Sequence, residues 1–188
     1  STDFLFDGKK EYYKEEDVPN PINVYGKTKY DAEKEILKSG VKNIIIRTTI
    51  YGWNIQKKQC FPERVVSYLK QGAQTEVYTD QFATPILVTT LAKIIRQSHE
   101  KNAQGIFHIG CDKKVSRYEL ALKISDIFGL DSSLIIPVKT SEHPQVAPRP
   151  VDVSLDNSKI KSFLNLRAIP LEKDLDEAYK EINRLSNK

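Results

Sequence analysis

Only two cysteines, Cys60 and Cys111, occur in 188 residues. They are too few for a disulfide framework, and neither belongs to a Cys-x-x-Cys pair, so both read as reduced thiols. Three histidines, His99, His108 and His143, are scattered without metal-ligand spacing, and no metal site is expected. His108 lies inside an apolar strand pattern, where a hydrogen-bonded core histidine is the expected role. No apolar run approaches the roughly 20 residues that span a bilayer, and no charged-then-apolar leader opens the chain, so membrane insertion is not expected and a cytoplasmic protein is the default. Twenty-nine basic residues stand against 25 acidic ones without forming a stripe, and the net charge of +4 gives no support for nucleic-acid binding. Glycine is sparse too: eight in all, and no Gly-x-Gly-x-x-Gly or Gly-x-x-Gly-x-x-Gly turn of the kind that cradles a dinucleotide pyrophosphate.

What is present describes a globular α/β protein. A hydrophobic fraction of 39% and this length suffice for one ordinary domain, which would bury roughly 70% of its unfolded surface. Apolar residues recur at three- and four-residue spacings over 25–38, 62–71, 88–100, 116–128, 157–164 and 171–185, predicting helices. Their ends are marked: Pro62 suits a first turn, Ser116 with Glu119 spells a capping box, Gly129 fits the position past a C-cap, and Asp156 can cap the next helix. Strands are expected at 4–6, 43–48, 76–78, 106–109 and 135–138, several as continuous apolar runs typical of strands buried on both faces. Residues 140–152 hold three prolines and read as a surface loop, or as a loop closing over substrate with Arg149 as its charged contact. The lysine pairs Lys9–Lys10 and Lys57–Lys58 read as solvated surface.

Tyr25 and Lys29, in the stretch Asn23-Val24-Tyr25-Gly26-Lys27-Thr28-Lys29, are the most informative residues. Four residues apart, a phenol and an ammonium share one helix face. A cation beside a phenol favours phenolate, which suits the hydroxyl to acid–base work near neutral pH. Alone the spacing is common. Upstream, however, Ser1-Thr2-Asp3-Phe4-Leu5-Phe6-Asp7-Gly8 is an apolar run opened by hydroxyls and closed by a turn, and an acidic loop broken by Pro19 and Pro21 separates it from the Tyr/Lys segment. Further motifs follow in order: Ile44-Ile45-Ile46-Arg47-Thr48-Thr49-Ile50-Tyr51-Gly52, Asp80-Gln81-Phe82-Ala83-Thr84-Pro85, Gly105-Ile106-Phe107-His108-Ile109-Gly110 and Ala147-Pro148-Arg149-Pro150.

In this order the motifs resemble the extended short-chain dehydrogenase/reductase superfamily, and within it the dTDP-4-dehydrorhamnose reductase group. The resemblance implies part of a Rossmann-type, doubly wound parallel sheet plus a smaller C-terminal substrate-binding region. Residues 1–55 would form the second half of the NAD(P)-binding domain and 56–188 mainly the substrate region, with 88–110 returning to the sheet. It implies NADP or NAD as cofactor, a nucleotide-sugar substrate, and reduction of a 4-keto-deoxysugar. Tyr25 would be the proton donor and Lys29 would assist it and reach the nicotinamide ribose. Thr2 would hydrogen-bond the carbonyl oxygen, and Thr48 would face the cofactor. Asp3, Thr49, Trp53, Gln81, Phe82 and Arg149 would face the substrate. Because the glycine-rich turn is missing, the chain is expected to be the C-terminal part of a longer protein, either a homodimer or joined to a missing N-terminal half. One departure concerns the sugar: the group usually carries an extra residue, often tryptophan, before the aliphatic-Tyr-Gly end, whereas here Thr49 runs directly into Ile50-Tyr51-Gly52 and Trp53 follows. Two other readings are an epimerase or dehydratase of the same superfamily and a non-catalytic subunit resembling the regulatory subunit of methionine adenosyltransferase.

Overall fold

The computed structural model describes residues 1–54, 59–143 and 145–186, so the Lys57–Lys58 pair lies outside the described residues. Among the described residues six helices are interleaved with eight short strands, and the chain is α/β with mostly parallel pairing. Helix α1 (Val24–Lys38) leads to strand β1 (Ile44–Thr48), the two-residue strand β2 (Ile50–Tyr51) and helix α2 (Phe61–Lys70). Strands β3 (Thr75–Tyr78), β4 (Phe82–Ala83) and β5 (Ile86–Leu87) precede helix α3 (Val88–Glu100) and strand β6 (Gly105–Ile109). Strand β7 (Val115–Ser116), helix α4 (Arg117–Ile127), strand β8 (Ile135–Val138) and helices α5 (Ser158–Leu164) and α6 (Leu171–Ser186) complete the order. β1 pairs in parallel with β6, β2 with β5 and β3 with β8; β4 and β7 are antiparallel.

All six expected helices form, and the longer strands fall where periodicity puts them. The segment 4–6 does not. Asp3–Leu5 is a turn of 3-10 helix, because the Thr2 hydroxyl accepts the Phe4 N–H at 3.2 Å and Phe6 N–H returns to the Asp3 carbonyl, which satisfies the backbone locally instead of in a ladder. The capping box at α4 is complete: Ser116 Oγ accepts Glu119 N–H at 3.0 Å, and the Glu119 carboxylate accepts Ser116 N–H at 2.7 Å. Gly129 sits past that helix at φ +62°, where a side chain would be strained. At α5 the cap residue is Asn157, while Asp156 accepts the Ser158 N–H at 2.7 Å from one position earlier.

Two apolar clusters carry most of the packing. One joins α2, α4 and α6 over β3 and β8 through Val65, Leu69, Leu120, Ile124, Leu171 and Leu175. The other joins α3 and α5 to the β1–β6 pair through Leu91, Ile94, Phe107, Ile109 and Ile160. A third, smaller cluster of Leu5, Phe6, Tyr13 and Leu155 lies beneath the N-terminal segment.

Beside it a buried polar chain ties α1 to the sheet. Glu33, inward-facing on α1, receives Arg47 Nη2 at 2.7 Å and Arg47 Nε at 3.1 and 3.2 Å, and both side chains are essentially sealed from solvent. Arg47 Nη1 also approaches His108 Nε2 at 3.4 Å, and His108 Nδ1 donates to the Tyr13 carbonyl at 2.9 Å. Burial lowers the His108 pKa to about 4, and with Arg47 beside it the ring is neutral, as the expected core histidine. Replacing Arg47 by methionine strands the Glu33 carboxylate in the core, and urea denaturation is expected to show a loss of about 3–5 kcal/mol. Pairing that change with Glu33→Gln should recover much of the loss; a single variant as stable as wild type would remove this bridge from the account of how α1 is held.

Candidate functional site

Helix α1 starts where it does because Asn23, in extended conformation, accepts the Gly26 N–H on Oδ1 at 2.8 Å. Its Nδ2 donates to the Pro148 carbonyl at 3.0 Å, so one amide caps the helix and holds the loop bearing Arg149. Gly26 lets α1 lie against the Asp3–Leu5 turn: a Cβ there would meet the Phe4 carbonyl oxygen at 2.2 Å. Tyr25 is thereby set edge-on to the Phe4 ring, centroids 5.9 Å apart, with about half of its surface open to solvent. Lys29 Nζ lies 5.9 Å from the Tyr25 ring centre, on the same helix face. It has no ion-pair partner among the described residues. A hollow lined by Phe4, Asn23, Tyr25, Lys27, Ala147 and Arg149 opens beside them.

Buried Thr2 and Asp3 and half-buried Thr49 form a polar group next to this face. Thr2 Oγ1 donates to Asp3 Oδ1 at 3.0 Å, and Thr49 Oγ1 donates to Asp3 Oδ2. Burial raises the Asp3 pKa to about 6, against the opposing pull of those two hydroxyls and of Arg117. Asp3 and Thr49 line a small hollow with Gln81, Arg117 and Arg149. Thr49, Gln81, Arg117 and Arg149 also line a neighbouring cavity of about 820 Å³.

Cations predominate in that cavity: Arg64, Arg117 and Arg149 line it against one carboxylate, Glu76, and none of the three arginines has a carboxylate within ion-pair distance among the described residues. Arg117 Nε donates to Gln81 Oε1 at 3.2 Å, and its guanidinium stacks 5.1 Å from the Phe61 ring centre, which Arg64 approaches at 5.8 Å. Burial first, and then the nearby charges of Arg149 and Arg64, lower the Arg117 pKa against the opposing pull of Asp3. The first turns of α2 and α4 open onto the same space through Cys60, Phe61, Pro62 and Arg117, adding the positive ends of two helices. Such a space suits a diphosphate: three guanidinium forks can meet phosphate oxygens that water would otherwise solvate. Tyr51 lines it as well, with a buried hydroxyl that lacks a partner among the described residues, as does the Gln81 amide nitrogen.

The residues singled out from sequence are thus partly gathered. Thr49, Gln81 and Arg149 meet at the cavity, with Asp3 and Phe82 at the small hollow behind it. Thr2 is buried against Asp3 and lines neither space. Trp53 lies elsewhere, its indole N–H donating to Ala178 O at 2.7 Å and its ring packed edge-on against Phe128. Sequence reading missed Arg64 and Arg117. A signal existed for Arg117: an arginine as first residue of a capped helix opposes the helix dipole and needs some other cause. As for a nicotinamide nucleotide, the residues present suit its reactive end. Tyr25 and Lys29 are exposed on α1, and the Thr48 hydroxyl at the carboxyl end of β1 is buried with no partner among the described residues.

Comparison with known proteins decides the family. Residues 1–184 match the RmlD substrate binding domain. The chain belongs to that family. It is therefore a member of the extended short-chain dehydrogenase/reductase superfamily, as the motifs implied. A dTDP-4-dehydrorhamnose reductase of Clostridium acetobutylicum superimposes with TM-score 0.89 at 29% identity, covering 97% of this chain and 64% of that one. A dTDP-4-dehydrorhamnose reductase of Bacillus anthracis, solved with NADP, gives 0.87 at 27% identity over 96% and 64%. Among curated relatives, methionine adenosyltransferase 2 subunit beta of Rattus norvegicus is 33% identical over 173 residues, 87% of this chain and 51% of its own length. The RmlD-type chain thus spans about half the length of the curated relatives it matches.

The buried acid of this domain has a measurable signature. In the fold Asp3 keeps its proton up to about pH 6, above its ordinary value of 3.8, so the stability this gives is complete below pH 3.8 and is lost as pH rises through 6. Asp3→Asn, which stays neutral, should gain about 2–4 kcal/mol on wild type between pH 4 and pH 8 in denaturant titrations. A gap that does not change with pH would place Asp3 in contact with solvent.

Proposed function

We propose that this domain supplies the proton-donating side and the substrate site of an NAD(P)-dependent reductase acting on a nucleotide-activated 4-keto-deoxysugar. The reaction that fits best is reduction of dTDP-4-dehydrorhamnose to dTDP-L-rhamnose. The observation that carries this reading is the junction at Arg149, which lines both the cationic cavity and the hollow beside Tyr25. A diphosphate held by Arg64, Arg117 and Arg149 would direct its attached sugar toward the hollow that the phenol lines. Residues 1–55, with Tyr25, Lys29 and Thr48, would complete the cofactor-binding half, and 56–188 would mainly hold the substrate.

A bound nicotinamide nucleotide, NADPH or NADH, supplies the hydride that reduces the ketone carbon. Tyr25 donates its hydroxyl proton to the carbonyl oxygen as that oxygen gains charge. Lys29 stabilises the phenolate left behind and would hold the nicotinamide ribose together with Tyr25, while Thr48 would face the cofactor. The arginines fix the substrate so that its ketone stays at the phenol, which converts an encounter into a positioned reaction.

A second reading, a regulatory subunit without turnover, is favoured by the 33% identity to methionine adenosyltransferase 2 subunit beta. Tyr25→Phe in the complete protein separates the two. For a reductase, turnover with NADPH and dTDP-4-dehydrorhamnose should fall at least roughly a hundredfold with folding unchanged. No wild-type turnover, together with co-purification of a larger catalytic partner, would favour the regulatory reading. Arg149→Ala should weaken binding of a dTDP-sugar more than binding of NADPH, and Arg149→Lys should rescue it partly, since an ammonium lacks the planar fork. Equal dTDP-sugar affinity in all three proteins would leave the loop no part in recognition.

A further inference from the structure

Each threonine hydroxyl has one proton to give, and in this structure Asp3 takes both. Thr2 Oγ1 donates to Oδ1 of the carboxylate and Thr49 Oγ1 to Oδ2, while the Phe4 N–H occupies a lone pair of Thr2. With Asp3 ionised, neither hydroxyl can donate to a sugar oxygen. A proton on Oδ2 reverses the Thr49 bond: the acid now donates to Thr49 Oγ1, and the freed Thr49 proton turns toward the cavity that this residue lines, while Oδ1 still accepts from Thr2.

Asp3 is sealed from solvent, and the charged groups around it are few. Arg117 faces it from α4 and Arg149 from the proline-flanked loop, across the small hollow all three line. From α1, packed against the Asp3–Leu5 turn, come the phenol of Tyr25 and the ammonium of Lys29. Arg117 is the cation that favours ionised Asp3. It is also one of the three arginines placed to receive a diphosphate. A ligand that brings two negative charges to Arg117 and Arg149 cancels that support and adds repulsion, so it must favour the protonated acid.

We infer that binding of a diphosphate-linked sugar at the arginine cluster drives uptake of a proton from solvent by Asp3, converting the Thr49 hydroxyl from a donor to the carboxylate into a donor to the sugar. Asp3 is then a positioning residue that arms the Thr49 hydroxyl only when the cavity is filled. The free acid titrates at about 6, so the coupling falls in a range open to measurement. This rests on the nucleotide-sugar reading above.

Calorimetric titration of the complete protein with dTDP-glucose, in buffers of differing ionisation enthalpy between pH 6 and 7.5, counts protons exchanged on binding. The diphosphate diester of this probe has no ionisation there, so uptake reports the protein. Wild type should take up a sizeable fraction of one proton per ligand, with a maximum just above the free acid's midpoint. Asp3→Asn should take up none. Thr49→Val removes a donor to the carboxylate, so the pH of greatest uptake should move upward. Carboxyl carbon-13 NMR of wild type should show the Asp3 midpoint rising when ligand saturates, a readout that survives if the Asn variant does not fold. Binding without uptake in wild type, undiminished uptake in Asp3→Asn, or a carboxyl midpoint unmoved by ligand overturns the inference while leaving the nucleotide-sugar reading in place. Failure of dTDP-glucose to bind at all overturns both.

Discussion

The approach of Gly26 to the Phe4 carbonyl is the constraint on which the rest of the site depends. Any side chain at that position would push α1 from the Asp3–Leu5 turn. Tyr25 and Lys29 would then leave the level of Asp3 and Thr49. Asn23 reinforces the contact from the other side, with one end of its amide on the helix and the other on the Arg149 loop. Further along α1 the Glu33–Arg47 bridge pins the helix to β1. Three local devices thus hold the phenol, the buried acid and Arg149 in fixed relation.

The cationic cavity shows how secondary structure and side-chain charge combine. Arg117 opens α4 and Arg64 lies in the first half of α2, so both guanidiniums sit near the positive ends of helices. Burial and like charge together make Arg117 costly as a cation, which agrees with its lowered pKa. Anion binding removes that cost. The same field reaches Asp3, and this links the arginine cluster to the hydroxyls that Asp3 holds.

Much of this was legible in the amino-acid order. The helices declared themselves through apolar spacing and through caps such as Ser116–Glu119. The Tyr/Lys pair, the Thr-Asp turn and the Arg149 loop identified the superfamily, and the match over residues 1–184 bears that out. Periodicity failed at 4–6, because a short apolar run cannot reveal that the Thr2 hydroxyl captures the next backbone amide. It also passed over β2, β4, β5 and β7, two residues each and too short to show alternation. Arg64 and Arg117 belong to no linear motif; only folding brings them to Arg149. Asp3 was visible as part of a motif, but its sealing between two hydroxyls was not.

The central claim is that one continuous site joins three arginines to the phenol of Tyr25. A crystal structure of the complete protein with a dTDP-sugar and oxidised cofactor tests it most directly. The account predicts the diphosphate between Arg64, Arg117 and Arg149, with the oxygen on carbon 4 of the sugar within hydrogen-bonding distance of the Tyr25 hydroxyl. A diphosphate bound away from these arginines, or a sugar pointing away from α1, would contradict it.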